Sequence, residues 1–265
     1  MPFATTAKAG TFYEDQGTGP ALLLVHGHPF DHTMWRPQID RFSRTHRVIA
    51  PDLRGYGATP LGANPGSTDL GVFAEDLVAL LDDLGIGACV LAGLSMGGQI
   101  AMELYRRHPE RVRGLVLADT FPAAETEDGK AARNAMADRL LREGMRGYAD
   151  EVLDRMVAPY NTHAAPHVHR MMCATDPVAA AAALRGRAER PDYRKTLTTV
   201  PFPALVIVGR DDTYTPVTDA EEMRALLPHA TLAVIERAAH LPNLERPEEF
   251  DAVLETYLRS LVRPS

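Results

Sequence analysis

The chain has 265 residues, 45% of them hydrophobic, which suffices for one large core and fits a single domain or a domain carrying an insertion. Acidic residues number 35 against 28 basic, a net charge of −7 with no basic run, so a general electrostatic affinity for nucleic acid or an anionic membrane is not expected. No apolar run approaches the ~20 residues of a membrane span, and "MPFATTAKAG" lacks the apolar stretch of a signal peptide, so the expected address is the cytoplasm.

The first long apolar run is "ALLLVHG" (Ala21–Gly27), followed by "HPFDHTMW", where Trp35 is expected to pack the first helix onto the core. "RVIAPD" (Arg47–Asp52) comes next. Asp52 and Arg54 in "DLRGYG" suggest a structural salt bridge or turn, with Gly55 and Gly57 allowing a tight bend. "TDLGVFAEDLVALLDDLG" carries Leu70, Phe73, Leu77, Leu80, Leu81 and Leu84 at helical spacing, and Gly85 suits its C-terminal stop. Further apolar runs follow at Cys89–Gly93, Arg113–Asp119, Pro203–Gly209 and Thr231–Glu236. Such unbroken Leu, Val, Ile and Ala runs suit strands buried on both faces. Thr218 and Glu221 are spaced as a capping box, and Pro247 opens a final helix with Phe250, Val253, Leu254, Tyr257, Leu258 and Leu261 on one face. Strands alternating with helices imply an α/β fold with a doubly wound, mostly parallel sheet. The two distant cysteines, Cys89 and Cys173, suggest reduced structural thiols rather than a disulfide framework.

One region breaks the alternation. From about Pro122 to Val200 no strand is evident, and short helices are predicted around Ala131–Arg142, Met145–Val157, Pro166–Ala174 and Pro177–Arg187. A connection of that length reads as an insertion. It holds Met136, Met145, Met156, Met171 and Met172, which suit either a small core or an adaptable apolar pocket. His163, His167 and His169 are expected to decorate a polar helix face.

"VLAGLSMGGQIAMEL" runs from strand to helix with Ser95 at the junction. Glycines at 93 and 97 relieve contacts that a Cβ would make, and the helix N-terminus brings free amides beside the hydroxyl. This is the G-x-S-x-G nucleophile elbow. A serine needs a base, and the elbow calls for a downstream acid and then a histidine. "GRDDTYTP" supplies Asp211 or Asp212, and "AAHLPNLERP" supplies His240.

With these residues the chain resembles the α/β-hydrolase superfamily over nearly its whole length, through "HGHP", "PDLRGYGATP", "GLSMGG", "GRDDTYTP" and "AAHLPNLERPEEF". The resemblance implies a hydrolase core over residues 1–121 and 200–265 and a helical cap over 122–199. In the family pattern G-x-x-D-x-x-x-P, Gly209 and Pro216 align Asp212 with the acid. Some members place the acid after the preceding strand, which here is Asp119. The implied catalytic set is Ser95, Asp212 and His240, with the amides of His28 and Met96 as the oxyanion hole. His28, Met136, Met156 and Met172 are the candidates for contact with substrate.

His26-x-His28-x-x-Asp31-His32 invites a metal reading, because metallo-β-lactamase-like hydrolases use H-x-H-x-D-H. The extra residue disturbs the register and no downstream ligand set stands out, so no metal is expected. His26 is expected to hold the loop. "GLSMGG" with "HPFDHTMW" is similar to the 3-oxoadipate enol-lactonase and small-esterase branch. That resemblance implies hydrolysis of a small carboxylic ester or lactone without a cofactor. Carbon–carbon bond hydrolysis, cofactor-free haloperoxidase or perhydrolase chemistry, and a ligand-binding protein with little turnover remain the alternatives. Oligomeric state is open.

Overall fold

Seven apolar segments and one polar one line up side by side in a single eight-stranded sheet. The computed structural model describes the backbone of residues 3–5 and residues 10–63 and 66–261; the rest of the opening decapeptide, on which the leader expectation rests, lies outside it. The strands are β1 (Phe3–Thr5), β2 (Phe12–Gln16), β3 (Ala21–Val25), β4 (Arg47–Pro51), β5 (Cys89–Leu94), β6 (Val112–Ala118), β7 (Ala204–Gly209) and β8 (Ala230–Ile235). Their order is β1-β2-β4-β3-β5-β6-β7-β8. β1 and β2 are antiparallel, and every pairing from β4 to β8 is parallel.

Between the strands lie α1 (Arg36–Phe42), α2 (Leu70–Asp83) and α3 (Met96–Arg107). Next come α4 (Glu127–Glu143), α5 (Arg146–Met156), α6 (Ala165–Ala174), α7 (Pro177–Ala188) and α8 (Arg194–Leu197), then α9 (Val217–Leu226), α10 (Pro242–Glu245) and α11 (Pro247–Ser260). The sheet's period of two divides its side chains between two cores. Leu23, Val25, Leu91, Leu115, Leu117 and Val206 pack with α2, α3 and α9. Leu22, Leu24, Val90, Ala92, Val116 and Ile207 pack with α1 and α11, where Trp35 meets Phe250 at 6.1 Å between ring centroids. Each such fully buried aliphatic or aromatic side chain contributes about 1.5–3 kcal/mol of transfer free energy.

Five helices, α4 to α8, fill the interval between β6 and β7. α4 packs along α7, and Ala137, Leu140, Met145, Ala180, Ala181 and Leu184 form a small core of their own. α4 begins four residues before its predicted start because Thr126 caps it, accepting from the Gly129 amide at 3.0 Å. Its polar first turn carries no apolar stripe to announce it.

Two expectations are corrected. β2 was not predicted, since its "FYEDQ" has one buried residue, Tyr13, and no apolar run; it is added antiparallel to β4 near the sheet edge. The Thr218–Glu221 capping box does not form. Pro216 is the cap residue, with no side-chain cap bond, and the helix starts at Val217, so Thr218 lies inside it.

The chain runs from β3 outward to β4 and then crosses to β5 on the other side of β3. The point between the carboxyl ends of β3 and β5 is therefore a topological switch, where open α/β sheets form their crevices. The loop after β3 and Ser95 after β5 both stand there.

Candidate active site

Ser95 holds φ +56° and ψ −117°, a conformation costly for any residue with a Cβ. Three close approaches fix it. A Cβ on Gly93 would lie 2.2 Å from the Gly97 carbonyl oxygen, and one on Gly97 would lie 2.2 Å from that of Val25. One on Gly27 would lie 3.2 Å from Ser95 Cβ. The turn after β5 is thus pressed against the loop after β3, and only glycine fits at the contacts. From the neighbouring strand, Ala118 accepts from the Ser95 amide at 2.9 Å, and Thr120 Oγ1 donates to the Ser95 carbonyl at 2.8 Å.

The amides of His28 and Met96 donate no hydrogen bond among the described residues. Met96 is the first residue of α3, so its N–H lacks an intrahelical partner, and the positive end of the helix dipole lies there. His28 follows the Gly27 that abuts Ser95, and its peptide bond to Pro29 is cis.

His240 follows β8 and is buried. Its Nδ1 donates to Asp212 Oδ2 at 2.7 Å. Asp212 also accepts from the amides of Tyr214 at 2.7 Å and Thr215 at 3.2 Å, and from the Thr215 hydroxyl. Burial works against the charge on Asp212, but His240 and these donors outweigh it and hold the carboxyl below its ordinary value. Asp119, the alternative acid, does not bond His240; its Oδ1 accepts from the Gly209 amide at 2.9 Å and Oδ2 is sealed without a partner. Burial and then the Asp212 charge push the Asp119 carboxyl well above its ordinary value. Asp211 accepts from the Tyr160 hydroxyl and makes no hydrogen bond to His240.

Ser95, Asp212 and His240 therefore stand on the carboxyl rim of adjacent strands β5 to β8. Neither the Ser95 hydroxyl nor His240 Nε2 bonds another described residue, an open arrangement common in unliganded sites. An imidazole fixed at Nδ1 by a carboxylate can take and return protons at Nε2.

The three histidines of the first loop go to separate partners. His26 Nε2 accepts from the Leu53 amide at 2.9 Å, which leaves Nδ1 protonated against the Gly27 carbonyl at 2.8 Å, so His26 ties its loop to the one after β4. His28 Nδ1 lies 2.7 Å from the Tyr56 hydroxyl, and its Nε2 is buried without a partner. His32 Nδ1 lies 2.7 Å from Asp52. Among the described residues, the clusters of possible ligand atoms are Asp31–His32–Asp52 and Asp119–Asp212–His240, and neither includes His26 or His28. Asp52 and Arg54 do not pair with each other: Asp52 takes His32 and the Ala58 amide, and Arg54 takes Asp76. His167 joins Thr33 Oγ1 at 3.1 Å, so it links α6 to the first loop rather than decorating a face.

The methionines sit as packing residues. Met136 is half-buried against the α4–α7 core, and Met156 and Met172 are buried in the cluster that continues to Leu94 and Ala118. The side chains that the structure brings to the histidines went unpredicted. Tyr148 lies 6.5 Å from the His28 ring centroid, and Tyr214 lies 5.3 Å from that of His240 with the Arg155 guanidinium 3.8 Å over it. Arg187 reaches in from α7, its Nε donating to Gln99 Oε1 at 3.1 Å. Only Tyr214, two residues past Asp212, lay close to a recognised motif.

Residues 22–253 match the model of the "Alpha/beta hydrolase family". The chain is 30% identical over 248 residues to 3-oxoadipate enol-lactonase 1 of Acinetobacter baylyi, covering 91% of this chain and 90% of that protein. It is 28% identical to the pimeloyl-[acyl-carrier protein] methyl ester esterase of Aliivibrio salmonicida, covering 94% and 95%. A thermophilic esterase from Thermogutta terrifontis, solved with malate bound, superposes with a TM-score of 0.92 at 36% identity over 98% of both chains. Among the described residues no helix is long and apolar enough to cross a membrane.

Proposed function

The chain belongs to the alpha/beta hydrolase family, and from that premise we propose that it is a serine hydrolase cleaving a small carboxylic ester or lactone through an acyl-enzyme on Ser95. His240 Nε2 takes the hydroxyl proton while Ser95 Oγ attacks the carbonyl carbon. Asp212 keeps the imidazole in the required tautomer and stabilises the imidazolium. The tetrahedral oxyanion is met by the unpartnered amides of His28 and Met96; one such donor is worth about 3 kcal/mol to the transition state. His240 then returns the proton to the departing oxygen. Water, deprotonated by the same imidazole, releases the acyl group.

The reading takes residues 1–121 and 200–265 as the catalytic core and 122–199 as a lid over Ser95. His28 acts through its main chain, and Met136, Met156 and Met172 support the lid rather than select the substrate. The esterase and lactonase relatives support the bond type.

The observation that carries the reading is the 2.7 Å bond between His240 and Asp212 on the rim where Ser95 is held at φ +56°. Incubation with a fluorophosphonate and with p-nitrophenyl acetate tests it. Covalent labelling at Ser95, with a burst of nitrophenol, is the expected result. Ligand-induced thermal shifts without labelling or turnover would instead mark a binding protein.

A further inference from the structure

Arg187 is 8% exposed and lies on α7, yet no carboxylate comes within ion-pair distance of it among the described residues. Its neighbours are treated differently. Glu125 lies between Arg133 and Arg190, pairing with both. A guanidinium offers five N–H groups, and the one bond Arg187 makes spends its Nε–H on Gln99 Oε1. A charge removed from water without a counter-ion is costly, and such a group is retained where something else supplies the anion.

The surroundings carry the same deficit. Gln99 is 1% exposed, and its Nε2, next to the oxygen that Arg187 holds, is buried with no acceptor. His28 Nε2 is buried without a partner as well. His28, Tyr56 and Tyr148 all lie close enough to feel the Arg187 charge, which helps keep the His28 imidazole neutral after burial has done most of that work. The place is also fixed relative to Ser95. Gln99 is one turn further along α3, its amide donating to the Ser95 carbonyl at 3.2 Å, so the side chain that holds the guanidinium belongs to the first turn of the helix that begins at the serine.

We infer that Arg187 and Gln99 form a subsite for a free carboxylate carried by the substrate, so that the ester or lactone attacked at Ser95 is a monoanion with its acid group a few carbons from the scissile carbonyl. This rests on the serine-hydrolase reading for the bond cleaved, but the binding of the anion does not. The planar guanidinium accepts a carboxylate through two parallel N–H donors, and the Gln99 amide adds a third. An ester without the acid leaves these donors stranded, which is how a polar site rejects an uncharged analogue.

The test compares kcat/KM for monomethyl glutarate with that for methyl glutaramate, its neutral near-isostere, with the monomethyl succinate and adipate homologues alongside. The native protein is expected to favour the acid by at least roughly 100-fold. In Arg187→Gln that ratio should collapse to within a few-fold, mainly through KM, and Arg187→Lys should restore part of it. Equal kcat/KM values in the native protein, or an equal fall for both esters in Arg187→Gln, would overturn the subsite. Should Arg187→Gln fail to fold, the native protein still decides: glutarate should inhibit p-nitrophenyl acetate hydrolysis competitively where glutaramide does not, and no inhibition counts against the proposal. Calorimetry of monomethyl glutarate with Ser95→Ala separates the two readings. Binding there stands even if the native protein turns over no ester, and turnover of p-nitrophenyl acetate without such binding removes the subsite alone.

Discussion

Glu245 accepts hydrogen bonds from the amides on either side of His240: Ala239 and Leu241 both donate to its Oε1, at 2.9 and 3.2 Å. Its Oε2 takes the Ala158 amide and the Asn161 side chain, both at 2.8 Å. One buried carboxylate thus clamps the histidine loop and ties it to the end of α5. Glu245→Ala strands four donors and should cost about 3 kcal/mol, near the upper range for a buried network. Thermal denaturation should show a fall in Tm of roughly 8 °C. Glu245→Gln, which can accept on one side only, should lose less stability but still lower kcat.

The backbone at Ser95 is held in a conformation that glycine tolerates better than serine. Ser95→Gly should abolish turnover and stabilise the fold by about 1 kcal/mol, as release of a strained active-site turn predicts. Ser95→Ala should be equally inactive with an unchanged Tm. A Ser95→Ala protein turning over at the native rate would remove the nucleophile assignment.

Because Asp212 rather than Asp119 accepts the hydrogen bond from His240 Nδ1, Asp212→Asn should lower kcat by about 10⁴-fold while leaving the fold intact. Steady-state kinetics on p-nitrophenyl acetate measures this, and Asp211→Asn serves as the neighbouring control.

Asp119 supplies a pH test of stability. Its carboxyl is raised well above the ordinary value of 3.8 by burial and by Asp212. The folded protein therefore keeps a proton that the unfolded chain has already released. The associated stability is complete below the unfolded pKa and is lost as pH rises through the folded one. Asp119→Asn keeps the oxygen that accepts from Gly209 and cannot ionise. Its Tm should gain on that of the native protein as pH rises from about 4 to 9. A difference that stays flat with pH would count against a protonated Asp119.

Gly97→Ala would place a methyl group 2.2 Å from the Val25 carbonyl oxygen, inside the contact between the two loops. Backbone must move to admit it, so a loss of about 3 kcal/mol or more is expected. Where the variant still folds, kcat should fall further than that of a surface control, since the His28 and Met96 amides are displaced together.

The parts written locally were legible. Continuous apolar runs announced the six parallel strands from β3 to β8; those covered on both faces leave little room for polar residues, while β8 is a partly exposed edge with a run of the same kind. Gly93, Ser95 and Gly97 announced the turn, since only glycine fits those contacts. Following strand ends led to His240 and to Asp211 or Asp212, and the family pattern favoured Asp212. β2 escaped because a strand near the sheet edge, with Tyr13 alone buried, needs few apolar residues, and the start of α4 escaped because its first turn is polar. Composition cannot tell a filler from a lining, so Met136, Met156 and Met172 suited either role in the sequence; the structure packs them against two of the hydrophobic clusters.

What the sequence by itself determined is the order of strands and helices and the residues at their carboxyl ends, because backbone sterics and hydrophobic period act between near neighbours. Which acid His240 bonds, where Glu245 is spent, and that Arg187 is buried without a counter-ion were decided only by the tertiary structure. A charged residue in a helix reads as solvated from the chain alone; its partners, or the want of them, arise from segments far apart in sequence that the fold brings together.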